Sequence, residues 1–181
     1  MYEIFADLHI HIGRSENGKP IKITGARSLN FANIAKECYE RKGIQVAGII
    51  DCASPYVIED IENFLKTGDA YELKDGGIIY KDKVCILLGS EVETSEKGRN
   101  GKSGSAHNVC FFPYLKDIKG FSNELAKHVK NVTLSTQRSD LSGYDLVDIV
   151  EKYNGIVIPA HIFTPHKSYY GNCTDRLKDI F

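Results

Sequence analysis

The 181-residue chain has no C-x-x-C pair: its five cysteines, Cys38, Cys52, Cys85, Cys110 and Cys173, are odd in number and widely spaced. That argues against a disulfide framework or a thiolate zinc finger and makes a reducing compartment, the cytoplasm, the simpler expectation. No sign of charge is in excess, since 23 Lys+Arg stand against 24 Asp+Glu. A strongly basic protein that coats nucleic acid is therefore excluded, although a local basic groove is not. No apolar run approaches the ~20 residues needed to span a bilayer. Met1-Tyr2-Glu3 lacks the basic stretch of a signal peptide, so no membrane partner is expected. There is no G-x-G-x-x-G and no G-x-S-x-G. Gly101-Lys102-Ser103 resembles the end of a phosphate-binding P-loop, but the position where that motif needs its first glycine is Glu96, and no helical pattern follows.

Apolar residues make up 42% and charged residues 26%, the balance of a globular chain with enough length for one domain and its core. Short β-branched runs alternate with helical patterns. Strands are expected at Tyr2–Ala6, Gln45–Ile50, Ile78–Tyr80, Val84–Leu88, Val109–Phe112 and Ile156–Ile158. Helices are expected from near Ser28 to Gly43, from Ser54-Pro55 to about Leu65, over Ser122–Val129 and over Ser142–Tyr153. Lys81-Asp82-Lys83 reads as the turn of a hairpin. The order is largely β-α-β and predicts an α/β sheet or barrel of mostly parallel strands.

The informative stretch is Asp7-Leu8-His9-Ile10-His11. On a regular strand Asp7, His9 and His11 would project to one side and Leu8, Ile10 and Ile12 to the other. Two imidazoles at i and i+2 can bind one divalent metal, with the carboxylate orienting a ring. Further ligand-type residues follow strand-like runs: Asp51 after Val46–Ile50, Glu91 after Cys85–Leu88, and His161 after Ile156–Ala160. His107 instead heads the run Asn108–Phe112. Polar side chains at the C-terminal ends of parallel strands converge where α/β barrels place their sites. A multinuclear metal site is the expectation.

This set (Asp7-Leu8-His9-Ile10-His11, Asp51, Gly89-Ser90-Glu91, His107 and His161) resembles the PHP (polymerase and histidinol phosphatase) superfamily. The phrase Pro159-Ala160-His161-Ile162-Phe163-Thr164-Pro165 and the run Gly43–Pro55 look closest to its endonuclease Q-like branch. The resemblance implies a distorted, seven-stranded TIM-like β/α barrel that holds two or three ions of Zn, Mn or Fe and hydrolyses phosphoesters. For this branch the substrate would be DNA beside deaminated bases such as uracil and hypoxanthine. Carried over, His9, His11, Glu91, His107, His161 and Asp51 would be metal ligands. Glu91 would bridge two ions, and Asp51 and Glu91 would serve catalysis.

Two departures qualify the carry-over. Cys52 follows Asp51 where many members have histidine, as a ligand or a packing residue. The superfamily's final Asp-x-His is absent after His161. The chain is therefore expected to be the N-terminal part, residues 1–181, of one PHP metallohydrolase domain whose final strands lie in a missing C-terminal part. Asp7 is assigned to orienting a ligand, and Arg138, Lys102 and Ser135-Thr136-Gln137 to the substrate phosphate. A small-molecule phosphomonoesterase of the histidinol-phosphatase type and a non-catalytic, degenerate metal-binding module are the alternatives.

Overall fold

The structure, a computed structural model, describes residues 3–97, 103–176, 178 and 180. Lys102 and the strand start at Tyr2 lie outside these residues, as does part of the segment after Thr174. Seven strands form one open, mixed sheet: β1 (Ala6–His11), β2 (Val46–Ile50), β3 (Ala70–Glu72), β4 (Ile78–Tyr80), β5 (Val84–Lys97), β6 (Ser103–Phe112) and β7 (Ile156–Pro159). β1, β2 and β5 run parallel. β4 and β6 flank β5 antiparallel along its other edge, β3 extends β4, and β7 extends β6.

The expectation of mostly parallel strands is corrected here. β5 does not stop at Leu88 but runs on for 14 residues and pairs with β6 from Leu88↔Phe112 to Lys97↔Ser103. The polar alternation Ser90-Glu91-Val92-Glu93 hid this continuation. It makes Glu91 a mid-strand residue and puts His107 inside β6, opposite Glu93. Among the described residues β1 and β7 pair on one side only, so the sheet is not closed.

Among the described residues four α-helices cover the sheet: α1 (Phe31–Glu37), α2 (Pro55–Lys66), α3 (Leu115–Leu125) and α4 (Gly143–Glu151). α1 starts at Asn30, whose side chain accepts from the Asn33 amide, and passes into a π-helical turn ended by Gly43 at φ +64°. The left-handed backbone there suits glycine. Ser142 and Asp145 form a capping box on α4. Ser54 precedes α2 but does not cap it; its hydroxyl donates to the Thr133 carbonyl and ties down the 131–139 loop. Phe64 packs T-shaped against Phe31 and tilted against Tyr80, with centroids 5.3 and 5.2 Å apart, each ring contributing about 1.5–3 kcal/mol through burial. No helix among the described residues is long and apolar enough to cross a membrane.

Between Asp7↔Ala47 and Ile10↔Ile49, β1 advances three residues while β2 advances two. This is a bulge of one extra residue, centred on Leu8 and His9. Gly48 makes it possible, because a Cβ there would lie 2.6 Å from the Leu8 carbonyl oxygen.

Candidate metal centre

Four imidazoles converge on the carboxylate of Glu91, which is 5% exposed. Glu91 Oε1 is 3.1 Å from His107 Nδ1, 3.4 Å from His9 Nε2 and 3.8 Å from His161 Nε2. Oε2 is 3.5 Å from His11 Nε2. The rings form two pairs: His9 Nε2 and His11 Nε2 are 3.2 Å apart, as are His107 Nδ1 and His161 Nε2. Two groups could each hold a metal ion, His9-His11-Glu91 and Glu91-His107-His161, their ligand atoms all within 4.8 Å of one another. Glu91 is common to both.

The strands explain the convergence. β1 supplies His9 and His11 at the edge of the sheet, β5 supplies Glu91 at its centre, and β6 supplies His107 from the antiparallel partner. His161 lies two residues past the end of β7, at φ +31°, a sparsely populated backbone for a non-glycine residue. The bulge in β1 breaks simple alternation. Asp7 lines a groove with Ile10 and α1 rather than sharing the face of His9 and His11, and its Oδ1 accepts from the His9 backbone amide at 3.1 Å.

Outer partners fix two ring orientations. His11 Nδ1 lies 3.0 Å from Asp51 Oδ2, an oxygen that also accepts from the Ile12 amide, so the contact places the ring proton on Nδ1 and turns the Nε2 lone pair toward Glu91. Thr164 Oγ1 lies 3.0 and 2.9 Å from the backbone carbonyls of His161 and His166, so its one proton is directed at a carbonyl and its oxygen accepts from His161 Nδ1 at 3.1 Å. The His161 Nε2 lone pair again faces inward. Inward lone pairs around a carboxylate leave a pocket of negative potential that a cation completes. Imidazole and carboxylate donors together can bind divalent metal ions, so the residues fit such ions.

Burial pushes the Glu91 carboxyl up, but hydrogen bonds from His107 and His9, the His107 charge and the Thr136 hydroxyl together outweigh it and hold the group well below the usual carboxylate range. The hydrogen bond to Glu91 raises His9 above the ordinary imidazole value, against burial. Burial lowers His161.

Asp51 is not part of either cluster. It is buried behind His11, with Oδ2 also accepting from the Ile12 amide at 2.9 Å and Oδ1 accepting from Ser135 Oγ. Thr136 Oγ1 donates to Glu91 Oε2 at 2.8 Å, so Ser135 and Thr136 brace the acids of the site. Cys52 is fully buried, its Sγ donates to the Ile49 carbonyl at 3.0 Å, and burial pushes its thiol up, all of which belongs to packing. Arg138 is exposed and hydrogen-bonds Ser95, lining a groove of about 560 Å³ with Lys127, His128 and Lys130 instead of the cluster. Glu93, Thr164 and Lys167 were missed from sequence. Only Glu93 carried a signal, the two-residue step from Glu91 that keeps both on one face of a strand.

Two solved structures of Endonuclease Q superpose on this chain. One is a complex with a 27-mer duplex substrate carrying an abasic lesion at its active site: the TM-score is 0.74 at 24% identity, over 97% of this chain and 39% of the other. The other is the lesion-specific endonuclease PfuEndoQ from Pyrococcus furiosus, with a TM-score of 0.74 at 23% identity over 98% and 39%. The chain has the fold of part of Endonuclease Q. In sequence it is 48% identical over 182 residues to the uncharacterized protein YqxK of Bacillus subtilis (strain 168), covering all of this chain and 46% of YqxK. It is 27% identical over 161 residues to the uncharacterized protein MJ0043 of Methanocaldococcus jannaschii, covering 88% of this chain and 16% of MJ0043. The chain thus spans less than half the length of each of these relatives. No family model matches it.

Proposed function

We propose that this chain is the N-terminal part of a PHP-type metallohydrolase and that the whole protein is a DNA endonuclease cutting beside deaminated bases. The observation that carries the reading is the single Glu91 carboxylate shared by two imidazole pairs. When bound, divalent ions supply Lewis acidity and an activated water for attack on a phosphodiester. Glu91 sets the spacing of the two positions, and His9, His11, His107 and His161 complete them. Asp51 and Thr164 hold His11 and His161 in their ligating tautomers, and Thr136 holds Glu91.

Likeness to Endonuclease Q supports DNA as the substrate class. The groove lined by Lys127, Lys130 and Arg138, with Asp140 also on its wall, supports it further, since it brings three cationic side chains beside β5 for a phosphate backbone. The open edges at β1 and β7 support closure of the sheet into a barrel by later strands of the longer protein, which would also bring the remaining Asp-x-His. A third ion would need those ligands.

The test is cleavage of labelled oligonucleotides bearing one uracil or hypoxanthine, with Mn²⁺ or Mg²⁺ and a His9→Ala control. The full-length protein is expected to cut the damaged strand and to spare undamaged DNA, whereas residues 1–181 alone are nearly inactive. Release of phosphate from small monoesters with no DNA cleavage would replace this reading with the phosphatase one. Equal cutting by both lengths would show the ligand set to be wrong.

A further inference from the structure

Beside the metal centre the chain turns an aromatic ring outward. Phe163, two residues beyond His161, is 79% exposed, and its ring lies near-parallel to that of Tyr170, at 11° with centroids 5.2 Å apart. An offset stack of this kind covers one face of a ring, so the exposure belongs to the other. Phe163 also lines a cleft of about 510 Å³ with Pro159, His161, Ile162 and Thr164. The loop that carries the two rings is braced from within. The Thr164 amide donates to the His161 carbonyl at 3.0 Å, and the Tyr170 amide to the Ile162 carbonyl at 3.2 Å. Ser168 Oγ donates to the Thr164 carbonyl and accepts from the Gly171 amide at 3.1 Å. A Cβ on Gly171 would lie 1.8 Å from the Thr164 carbonyl oxygen, so the backbones approach this closely only at a glycine. Lys167 is the only lysine or arginine between His161 and Cys173, and its Nζ is held by Glu93 Oε2 at 2.8 Å. What the loop offers next to His161 is a ring face rather than a charge.

We infer that the bare face of Phe163, backed by Tyr170, is a stacking platform for an unpaired nucleobase of the strand whose phosphate is held at the metal centre. This role presupposes that the substrate is DNA, as proposed above. Two residues of chain reach at most about 7 Å, so the ring stands within about one or two nucleotides of that phosphate. A base inside an intact duplex has both faces covered by its neighbours and cannot lie on the ring. A base at a mismatched or damaged pair is unstacked at less cost. The platform therefore favours strands with a lesion and reads no sequence, because every base has a π-face. A ring already fixed by its loop loses little freedom when a base arrives. A small phosphoester without a base has nothing to place there.

The test uses the full-length protein and a labelled duplex with one uracil opposite guanine. Binding is read by fluorescence anisotropy in EDTA, which leaves the strand uncut, and KM is read from cleavage in Mn²⁺. Kd and KM are expected to rise about 5–150-fold in Phe163→Ala, the range that loss of one base–aromatic stack covers. Phe163→Leu, which keeps apolar bulk but has no ring, is expected to lose as much, and Phe163→Trp to bind like the parent. Zn²⁺ affinity by chelator competition and the unfolding temperature are expected to stay at parent values in all three variants, since the ring is exposed and His161 is untouched. Unchanged DNA binding in Phe163→Ala, or full rescue by Phe163→Leu, overturns the platform while the parent's cleavage keeps the DNA reading intact. A lowered unfolding temperature in Phe163→Ala with unchanged DNA binding overturns it in favour of a packing contact with a later segment of the longer protein. A parent that neither binds nor cuts the duplex removes the DNA reading, and the platform falls with it.

Discussion

Thr136 donates to Glu91 Oε2 at 2.8 Å from a backbone at φ +49°. A β-branched residue in the left-handed region is a steric outlier, held where its hydroxyl reaches a buried anion. Thr136→Ala and Thr136→Gly both remove the hydroxyl, but only glycine relieves the backbone. Thr136→Gly is therefore expected to be more stable than Thr136→Ala by about 1 kcal/mol. Both should lose Zn²⁺ affinity to the same extent, about tenfold. Urea unfolding and chelator competition on the two variants check this; equal stability would mean that the position carries no strain.

Gly48 determines where the first two histidines lie. A Cβ there would meet the Leu8 carbonyl oxygen at 2.6 Å and Leu8 Cα at 2.8 Å, both backbone atoms that cannot rotate away. Gly48→Ala is expected to push the bulge of β1 off β2 and carry His9 with it. The expected cost is about 1–3 kcal/mol of stability. A displacement of about 1 Å is enough to lower catalysis roughly a hundredfold. Normal activity in a well-folded Gly48→Ala protein would show that β1 tolerates the shift.

The bulge also shows where sequence reading reaches its limit. His9, His11, Glu91, His107 and His161 were all legible as ligand types because imidazoles and carboxylates are the side chains that bind divalent metals, and these five stand beside strand-like runs. Their strand context was not. Regular alternation placed Asp7 beside His9, and one extra residue opposite Gly48 undid that. Glu91 and His107 read as residues at strand ends because Ser90, Glu91, Glu93, Thr94 and Glu96 look like loop composition. They lie instead on a long hairpin whose polar side chains are buried and paired, as Thr94 Oγ1 donating to Glu96 at 2.7 Å illustrates. Burial of partnered polar groups leaves no apolar signature for a periodicity argument to find. The brace from Thr136 to Glu91 spans 45 residues in sequence and was invisible for the same reason.

Asp60 predicts a pH dependence of stability. Burial pushes its carboxyl up to about 6, against one favourable bond from the Glu16 backbone amide at 2.9 Å. An acid raised on folding stabilises the protein below its unfolded value, and that contribution is lost as pH rises through the folded value. At neutral pH the native state therefore carries a buried charge, at a cost of up to about 3 kcal/mol. Asp60→Asn keeps an acceptor for Glu16 and removes the charge. It should stabilise the chain by about 1–3 kcal/mol at pH 7.5 and leave it nearly unchanged at pH 4. Unfolding curves at both pH values check this, and an equal effect at the two would mean that Asp60 does not titrate in this window.

His9 predicts how ion binding follows pH. Its hydrogen bond to Glu91 raises it above 6.5, so near neutral pH a fraction of the metal-free chain carries a proton on this ring. An imidazole must be neutral to ligate, so an ion can bind only as that proton leaves. His161 is lowered by burial and is already neutral there, and Glu91 is already an anion, so neither adds to the dependence. Zn²⁺ affinity is expected to rise from pH 6 to pH 8, with release of up to about one proton per ion at the His9–His11 position. His9→Gln should bind at least about tenfold more weakly, and its affinity should rise less steeply with pH than the parent's, because one ligand that must shed a proton is gone. Isothermal titration in two buffers of different ionisation enthalpy counts the protons directly. An affinity that does not change between pH 6 and pH 8, or a slope as steep in His9→Gln as in the parent, would remove His9 from the ligand set, because the contact with Glu91 would then be an ion pair that no metal displaces.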